Sequence, residues 1–207
     1  MGLVINIIIF LAVTALVIFV FYFRIKALQE SKKLIAYFEK LNEKLLLEKD
    51  FSRKIGNEAL PKLSGIRNNR NILIERTIQE KYKYLVISIS FQNKTQLHWQ
   101  ISPKNHYVGK QEVAQEDVLL TEIAFIDKNY YVFGNNLLQI KQLITNFFIP
   151  FSRQYQEIWF LFSNLLIFRN RITLVLLSTP DKLKYDVVLE KFLSSLEVFA
   201  EELEQLP

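Results

Sequence analysis

The hydrophobic pattern of the chain begins with an apolar run from Leu3 to Phe23. This run, LVINIIIFLAVTALVIFVFYF, has no charged residue, and only Asn6 and Thr14 are clearly polar. A helix rises about 1.5 Å per residue, so about 20 residues cross the roughly 30 Å hydrocarbon core of a bilayer. A helix also satisfies its own backbone hydrogen bonds in lipid. We therefore predict a single transmembrane helix.

The same run does not have the form of a cleaved signal peptide. Such a peptide has an apolar core of about 7–15 residues, followed by small residues at the cleavage site. Here the apolar run is longer, and it ends in the bulky sequence Phe21-Tyr22-Phe23-Arg24. We predict that residues 1–24 remain as a membrane anchor.

Basic residues lie on one side of this anchor. No lysine or arginine precedes the apolar run, whereas Arg24, Lys26, Lys32 and Lys33 follow it closely. Because cytoplasmic flanks carry the excess of basic residues, we predict a single-pass protein of the inner, or another internal, membrane. Its N-terminus would lie outside and its C-terminal part in the cytoplasm. We expect the four basic side chains to contact the membrane surface, where anionic lipids attract them.

Helical spacing continues after the anchor, from Ile25 to about Ile55, and predicts a juxtamembrane helix. This helix would either lie as a stalk on the domain or the membrane, or form a homodimer seam. The repeat covers about two heptads, fewer than the three or four that indicate a coiled coil, which favours the stalk. The apolar face in question has spacings of four, three and four: Leu34, Phe38, Leu41 and Leu45.

A polar stretch from Asn57 to Ser64, with Pro61 inside it, predicts a linker into the folded domain. The residues that follow are enough for one ordinary domain with its own core. We accordingly divide the chain into an anchor at 1–24, a juxtamembrane helix and linker at 25–60, and a cytoplasmic domain at 61–207.

Alternating apolar and polar positions predict strands in the first part of this domain. The first two strands form a hairpin across Glu80-Lys81, and a polar loop at Ser102–Asp117 precedes a second strand pair. The predicted strands here are Asn71–Gln79, Tyr82–Phe91, Thr95–Ile101, Val118–Ile126 and Tyr130–Phe133.

A helix follows, capped by Gly134-Asn135-Asn136 and ended or kinked at Pro150. Ile158–Phe168 then predicts two strands with a turn at Ser163-Asn164, and Ile172–Leu177 predicts a third. The apolar face of the capped helix comprises Leu137, Ile140, Ile144, Phe147 and Phe148.

The chain closes with a helix that starts at Thr179-Pro180-Asp181, a hydroxyl cap followed by proline and an acidic residue. The element order predicts an α+β fold, with a largely antiparallel sheet packed by two amphipathic helices behind the transmembrane and juxtamembrane helices. The apolar face of the closing helix is Leu183, Val187, Phe192, Leu196, Phe199 and Leu203.

The net charge of +5 is unevenly distributed along the chain. From Arg24 to Tyr84 there are 15 basic and 8 acidic residues, whereas from Leu85 onward there are 11 basic and 13 acidic residues. The basic excess therefore lies next to the membrane, where an anionic leaflet attracts it. Nucleic acid is the rival partner, but the basic residues alternate with glutamate and form no dense stripe, so we predict none.

The sequence offers little for catalysis. Glycine occurs only at positions 2, 56, 65, 109 and 134, so no phosphate-binding loop can be written. With no cysteine and two histidines, a zinc site is disfavoured, and we predict no metal and no cofactor. His98 and His106, with Glu116 or Asp117, are acid–base candidates, but nothing brings them together. We predict that the protein is not an enzyme.

Three arginines in the segment IRNNRNILIER form the most suggestive polar cluster. Arg67, Arg70 and Arg76 would bind phosphate headgroups, a phosphorylated ligand or an acidic partner. The alternative is a solvated turn and strand face, because charge clusters are usually solvated. Trp99 and Trp159 are expected to be core residues or membrane-interface anchors.

Two late segments, IAFIDKNYYVFGNNLLQIKQLI and WFLFSNLLIF, precede the long closing helix. Together they resemble a group of bacterial single-pass membrane proteins with a C-terminal α+β domain that has no assigned activity. The resemblance covers roughly Leu63 to Leu206 and depends on Ile126-Asp127 and Tyr131-Val132-Phe133. It implies the fold and the anchor, and it implies nothing about chemistry.

These patterns lead to one functional expectation and two alternatives. We expect a non-enzymatic accessory or assembly subunit, anchored in the bilayer, that binds another membrane protein or a second copy of itself. The first alternative is a tethered sensor that uses the three arginines and the loop at 102–117. The second is a hydrolase or transferase that uses His98 or His106.

Overall fold

A computed structural model describes residues 2–79, 82–104, 118–178 and 185–205. The predicted α+β class is confirmed, because a long N-terminal helix precedes an eight-stranded antiparallel sheet in this described part. The helices are α1 (Gly2–Leu45), α2 (Ala124–Asn129), α3 (Leu137–Leu143), α4 (Ile149–Gln154) and α5 (Tyr185–Gln205). The strands are β1 (Glu48–Asp50), β2 (Lys54–Ile55), β3 (Glu58–Ala59), β4 (Lys62–Arg67), β5 (Arg70–Gln79), β6 (Tyr82–Ser90), β7 (Trp99–Pro103), β8 (Tyr130–Gly134), β9 (Phe162–Phe168) and β10 (Arg171–Leu177).

Helix α1 is continuous over 44 residues and has two different surroundings. It is exposed from Ile5 to Phe23, whereas its second half sends Leu34, Phe38 and Leu41 into the core of the domain. The predicted apolar face of the juxtamembrane helix thus packs on the chain's own domain, which agrees with the prediction of a stalk.

The end of α1 corrects the sequence prediction, which extended the helix to Ile55. Leu46 adopts a left-handed conformation with φ of 54°, and its N–H bonds the carbonyl of Asn42 at 2.8 Å. The side chain of Asn42 also accepts a hydrogen bond from the N–H of Leu47 at 2.8 Å. This local cap ends the helix at Leu45. The predicted linker at Asn57–Ser64 is also wrong, since β3 and the start of β4 occupy it.

The eight strands of the sheet lie in the order β1-β4-β5-β6-β10-β9-β7-β8, and each pair is antiparallel. The predicted hairpin of β5 and β6 is confirmed, although its break at Glu80-Lys81 lies outside the described residues. In β6, Leu85, Ile87 and Ile89 are buried on one face of the sheet, as the alternating pattern predicts. The predicted strand β10 is confirmed as well.

The middle helices follow the capping prediction and show how Pro150 is accommodated. Asn136 caps α3 by accepting a hydrogen bond from the N–H of Gln139 at 3.2 Å. A π-helical turn at Ile144–Phe148 then leads into α4, with Pro150 in its first turn. Proline has no N–H to donate to a helical hydrogen bond. The local change of helical register at the π-helical turn accommodates it. The helix is therefore interrupted and continues to Gln154 instead of ending.

Three strand predictions need correction. The segment predicted as a strand at Val118–Ile126 contains α2, because Asp127 Oδ1 accepts hydrogen bonds from the N–H and hydroxyl of Thr121 at 2.9 and 2.8 Å. A 3₁₀ helix and one strand, β9, replace the two strands predicted at Ile158–Phe168. Strand β7 begins at Trp99 instead of Thr95, after a turn held by Asn93.

Aromatic side chains fill the core between the sheet and the helices. Trp99 is fully buried, which is the core position among its two predicted roles, and it contacts Phe148 and Phe199 edge-to-face. The ring of Phe199 stacks on Phe147 at 3.6 Å, which joins α5 to the π-helical turn. The predicted face of α5 is buried at Phe192, Leu196, Phe199 and Leu203. Its predicted start at Thr179-Pro180-Asp181, together with Leu183 and the side chain of Val187, lies outside the described residues.

Candidate functional site

The N-terminal half of α1 is the first functional feature of the structure. Its apolar side chains are exposed from Ile5 to Phe23, and an 18-residue stretch of this helix has a mean hydropathy of 2.7. Within the part of the chain that the structure describes, this helix is long and apolar enough to cross a membrane. Exposed basic residues follow the apolar part, and their contact with the membrane surface stays a prediction: Arg24, Lys26, Lys32 and Lys33.

Two of the three candidate arginines meet at the turn between β4 and β5. Arg67 and Arg70 pair across this turn, whose residues Asn68 and Asn69 have φ of 50° and 61°. Positive φ at both positions is the requirement of a tight hairpin turn, and asparagine tolerates it. Both guanidinium groups face helix α5, so the turn and the end of the chain's last helix form one charged surface.

Each of these two arginines has an acidic partner on α5. The guanidinium of Arg70 donates to both carboxylate oxygens of Glu204, at 2.6 and 2.8 Å. This bond lowers the pKa of Glu204 below its ordinary value, and the N–H of Gln92 also donates to the carboxylate. Arg67 lies farther from its partner, with Nε 3.4 Å from Glu197. An anionic ligand would have to compete with these carboxylates.

Arg76 is separated from the other two, near the opposite end of β5. Its side chain is 1% exposed and donates to the carbonyl of Ala59 at 3.0 Å and to Glu58 at 3.2 Å. Lys83 also pairs with Glu58, at 2.9 Å. The structure thus brings Arg67 and Arg70 together and places Arg76 elsewhere, and the binding role of all three stays a prediction.

The ion pair of Arg70 and Glu204 leads to a testable pH dependence. The pKa of Glu204 is lowered in the folded protein, so its stabilisation is present above the ordinary value of 4.5 and is lost as pH falls through the lowered pKa. We expect Glu204→Gln to reduce the free energy of unfolding at neutral pH by about 1–2 kcal/mol, because a charged hydrogen-bonded pair is lost. In acid the difference from the wild type should shrink.

Denaturant unfolding at neutral and acid pH measures this effect. The control is Glu202→Gln, which removes an exposed carboxylate two residues earlier on the same helix. An equal loss of stability in both variants, or a difference that persists unchanged in acid, would contradict the assigned role of Glu204.

The histidines do not form an acid–base site within the described residues. His98 is exposed, its ring packs against Phe168 at 5.0 Å, and its backbone N–H bonds the side chain of Asn135. The other acid–base candidates, His106, Glu116 and Asp117, lie outside the described residues. Among the described residues, no group of three or more His, Asp or Glu could hold a metal ion.

A groove near the ends of β7, β8 and β9 was not predicted from the sequence. We call it the aromatic groove; its volume is about 490 Å³. That volume is within the range of small-molecule sites. Its described lining consists of Pro103, Lys104, Phe125, Lys128, Asn129, Tyr130, Trp159, Phe160 and Phe162.

Hydrogen bonds and ring contacts fix the floor of the aromatic groove. Trp159 stacks on Phe162 at 4.5 Å, and its indole N–H donates to the hydroxyl of Tyr130 at 2.8 Å. Burial raises the pKa of Tyr130, so this hydroxyl stays protonated. At the rim, Lys104 donates to the carbonyl of Asp127 at 2.7 Å. Trp159 is therefore partly a core residue and partly a groove residue.

Three separate segments supply this lining, which explains why the sequence did not reveal it. The only sequence signals were the aromatic pairs within Tyr130–Phe133 and Trp159–Phe162. Each pair has the pattern of a buried strand, and only the sheet order places β8 and β9 on either side of β7.

Fold and site together define an α+β domain joined to an N-terminal helix that could span a membrane. No protein-family model matches this sequence, and no match is found among curated proteins. The fold is similar to a crystal structure of the mycobacterial trehalose monomycolate transport factor A, TtfA. The sequences are 11% identical, the TM-score is 0.56, and the match covers 82% of this chain and 93% of that one. At this identity the similarity concerns the fold alone.

Proposed function

We propose that this chain is a single-pass accessory or assembly subunit, without catalysis of its own, that binds a protein partner at the cytoplasmic face of a membrane. The observation that supports this function best is the double role of α1. One uninterrupted helix carries an exposed apolar half and then contributes Leu34, Phe38 and Leu41 to the domain core. An anchor of this kind fixes the domain near the bilayer instead of tethering it loosely.

The distance between anchor and domain supports a role at the membrane surface. Within the described part of the chain, Ser31 is the first α1 residue with a hydrogen bond to the domain: its hydroxyl donates to the carbonyl of Asn57 and accepts from the N–H of Ala59, both at 3.0 Å. Ser31 lies eight positions after Phe23, which is about 12 Å along the helix. The domain would therefore stand close above the headgroups, where a second membrane protein can reach it.

The structurally similar protein TtfA is a transport factor, and a role as a transport accessory is compatible with this proposal. The sensor alternative is less favoured by the geometry. Arg70 is held by both oxygens of Glu204, and Arg76 is buried against Glu58. A ligand would have to displace these carboxylates before binding.

Co-purification from native membranes tests partner binding. The full chain, tagged at its C-terminus, is cross-linked in the membrane and extracted in mild detergent. The mass of the extracted species is then measured. We expect a stoichiometric complex with another membrane protein or with a second copy, and its loss in a harsh detergent. A lone monomer after every mild extraction, with or without cross-linking, would refute the proposal.

A further inference from the structure

One lateral row of the sheet connects the anchor helix to the aromatic groove. Ser31 bonds Ala59, whose carbonyl accepts from Arg76. From Arg76 the strand register continues across β6, β10 and β9 to the floor of the groove. The paired residues of this row are Arg76, Leu85, Leu176 and Phe162.

The direction of α1 indicates which side of this row would face the bilayer of the proposed anchor. From Ser31 the helix runs along the sheet toward Leu47, which lies against Gly65, a residue paired with Ile72 near the far end of β5. The apolar half of α1 therefore leaves the domain on the opposite side, beyond the row that ends at Phe162. That side is the membrane side of the proposed anchored protein.

The aromatic groove lies at the same edge of the sheet. Strand β9 begins there at Phe162, β7 ends there at Pro103, and β8 begins there at Tyr130. Lys104 lies one position beyond the end of β7, and Phe160 lies two positions before the start of β9, in the 3₁₀ helix. About 12 Å of helix separates the row from the apolar run, and a headgroup layer is about 5–8 Å thick.

The chemistry of the groove is suited to a lipid. Phe125 and Phe160 leave 54% and 51% of their surface exposed, and burial of such apolar area is favourable by about 25 cal/mol per Å². Lys104 and Lys128 add positive charge, and none of the described lining residues is acidic. This distinguishes the groove from the turn of Arg70, where a glutamate already neutralises the charge.

We propose that the aromatic groove binds one anionic lipid taken from the bilayer. The acyl chain lies along the exposed rings of Phe125 and Phe160 and against the partly buried Trp159, and the headgroup bonds Lys104 and Lys128. Lys104 uses one of its three ammonium donors on Asp127, so two remain for the headgroup. This inference goes beyond partner binding and rests on the proposed membrane anchor.

The two tryptophans of the chain make a direct test possible. Trp159 lines the groove, whereas Trp99 is fully buried in the core. The full chain is placed in nanodiscs of phosphatidylcholine that contain phosphatidylglycerol, with bromine on the acyl chains of one lipid or the other. Brominated chains quench indole fluorescence on contact. We expect stronger quenching by the brominated anionic lipid at equal mole fraction.

Variants assign the quenching to the groove. Trp159→Phe should abolish it and leave the emission of Trp99, which reports that the core is intact. Lys104→Gln with Lys128→Gln should make the two lipids equivalent, and arginine at both positions should retain the preference for the anionic lipid. Equal quenching by both lipids in the wild type, or none, would overturn the proposal.

The failure of this inference is distinguishable from the failure of the anchor. Protein that floats with the nanodiscs but shows no lipid preference would overturn the lipid site alone. Protein that does not enter the nanodiscs at all would overturn the anchor and, with it, the lipid site.

Discussion

Replacing Val13 and Val17 together with arginine will move the protein out of the membrane fraction. Both residues lie exposed on the same face of the apolar half of α1. An arginine at the centre of a transmembrane helix costs about 2.5–3.5 kcal/mol, whereas each leucine, isoleucine, phenylalanine or valine contributes only about −0.3 to −0.6 kcal/mol. Two arginines therefore offset most of the insertion energy. Flotation of membranes after an alkaline wash measures the fraction retained.

The matched control is Leu28→Arg, which introduces the same charge on an exposed position of the same helix beyond the apolar run. This variant should float with the membranes as fully as the wild type. If Val13→Arg with Val17→Arg also floats fully, the apolar half of α1 is not the anchor.

Replacing Phe38 with alanine will destabilise the whole domain, although the residue belongs to the helix that carries the anchor. Phe38 is 0% exposed and meets Phe51 edge-to-face at 6.5 Å. Truncation of a buried phenylalanine typically costs about 3–5 kcal/mol of unfolding free energy. Denaturant unfolding of the full chain in detergent, followed by the fluorescence of the buried Trp99, measures this loss.

A surface phenylalanine serves as the control for this prediction. Phe168→Ala removes a side chain that is 46% exposed, and its cost should be at most about 1 kcal/mol. Protein concentration separates the two interpretations of the apolar face of α1. Packing within one chain predicts a cost for Phe38→Ala that is independent of concentration, whereas a homodimer seam predicts a cost that shrinks on dilution, because the wild type then loses the stabilisation that dimerisation supplies.

The sequence predicts the structure correctly where buried side chains recur with the period of a strand or of a helix. The alternation of Leu85, Ile87 and Ile89 defined β6, and the spacing of Phe192 and Phe199 defined the buried face of α5. Both patterns follow directly from strand and helix geometry. The cap at Asn136 was likewise predictable, because a short polar side chain preceded an apolar helical period.

The fold departs from the sequence predictions where single hydrogen bonds decide the local structure. The pattern of charged and apolar residues runs on past Leu45, but the side chain of Asn42 caps the helix there. The turn predicted at Ser163-Asn164 lies inside β9, because Asn164 accepts a hydrogen bond from Ser102 of β7. That bond joins residues far apart in the chain, and no local pattern encodes it.

The candidate site illustrates the same limit. Arg70 and Arg76 are close in sequence, yet six residues of strand separate them by about 20 Å, and one lies at a turn while the other is buried. Conversely, Lys104, Lys128 and Phe160 are distant in sequence and line one groove. Only the order of the strands in the sheet determines both outcomes.

Single-cysteine labelling tests the anchored arrangement most directly, since the chain has no native cysteine. Val13→Cys and Lys33→Cys are treated with a membrane-impermeant maleimide in intact cells and in inside-out vesicles. We expect Lys33→Cys to react only in the inside-out vesicles and Val13→Cys to react in neither preparation. Labelling of Lys33→Cys in intact cells, or rapid labelling of Val13→Cys in either preparation, would contradict an anchor in lipid with the domain on its cytoplasmic side.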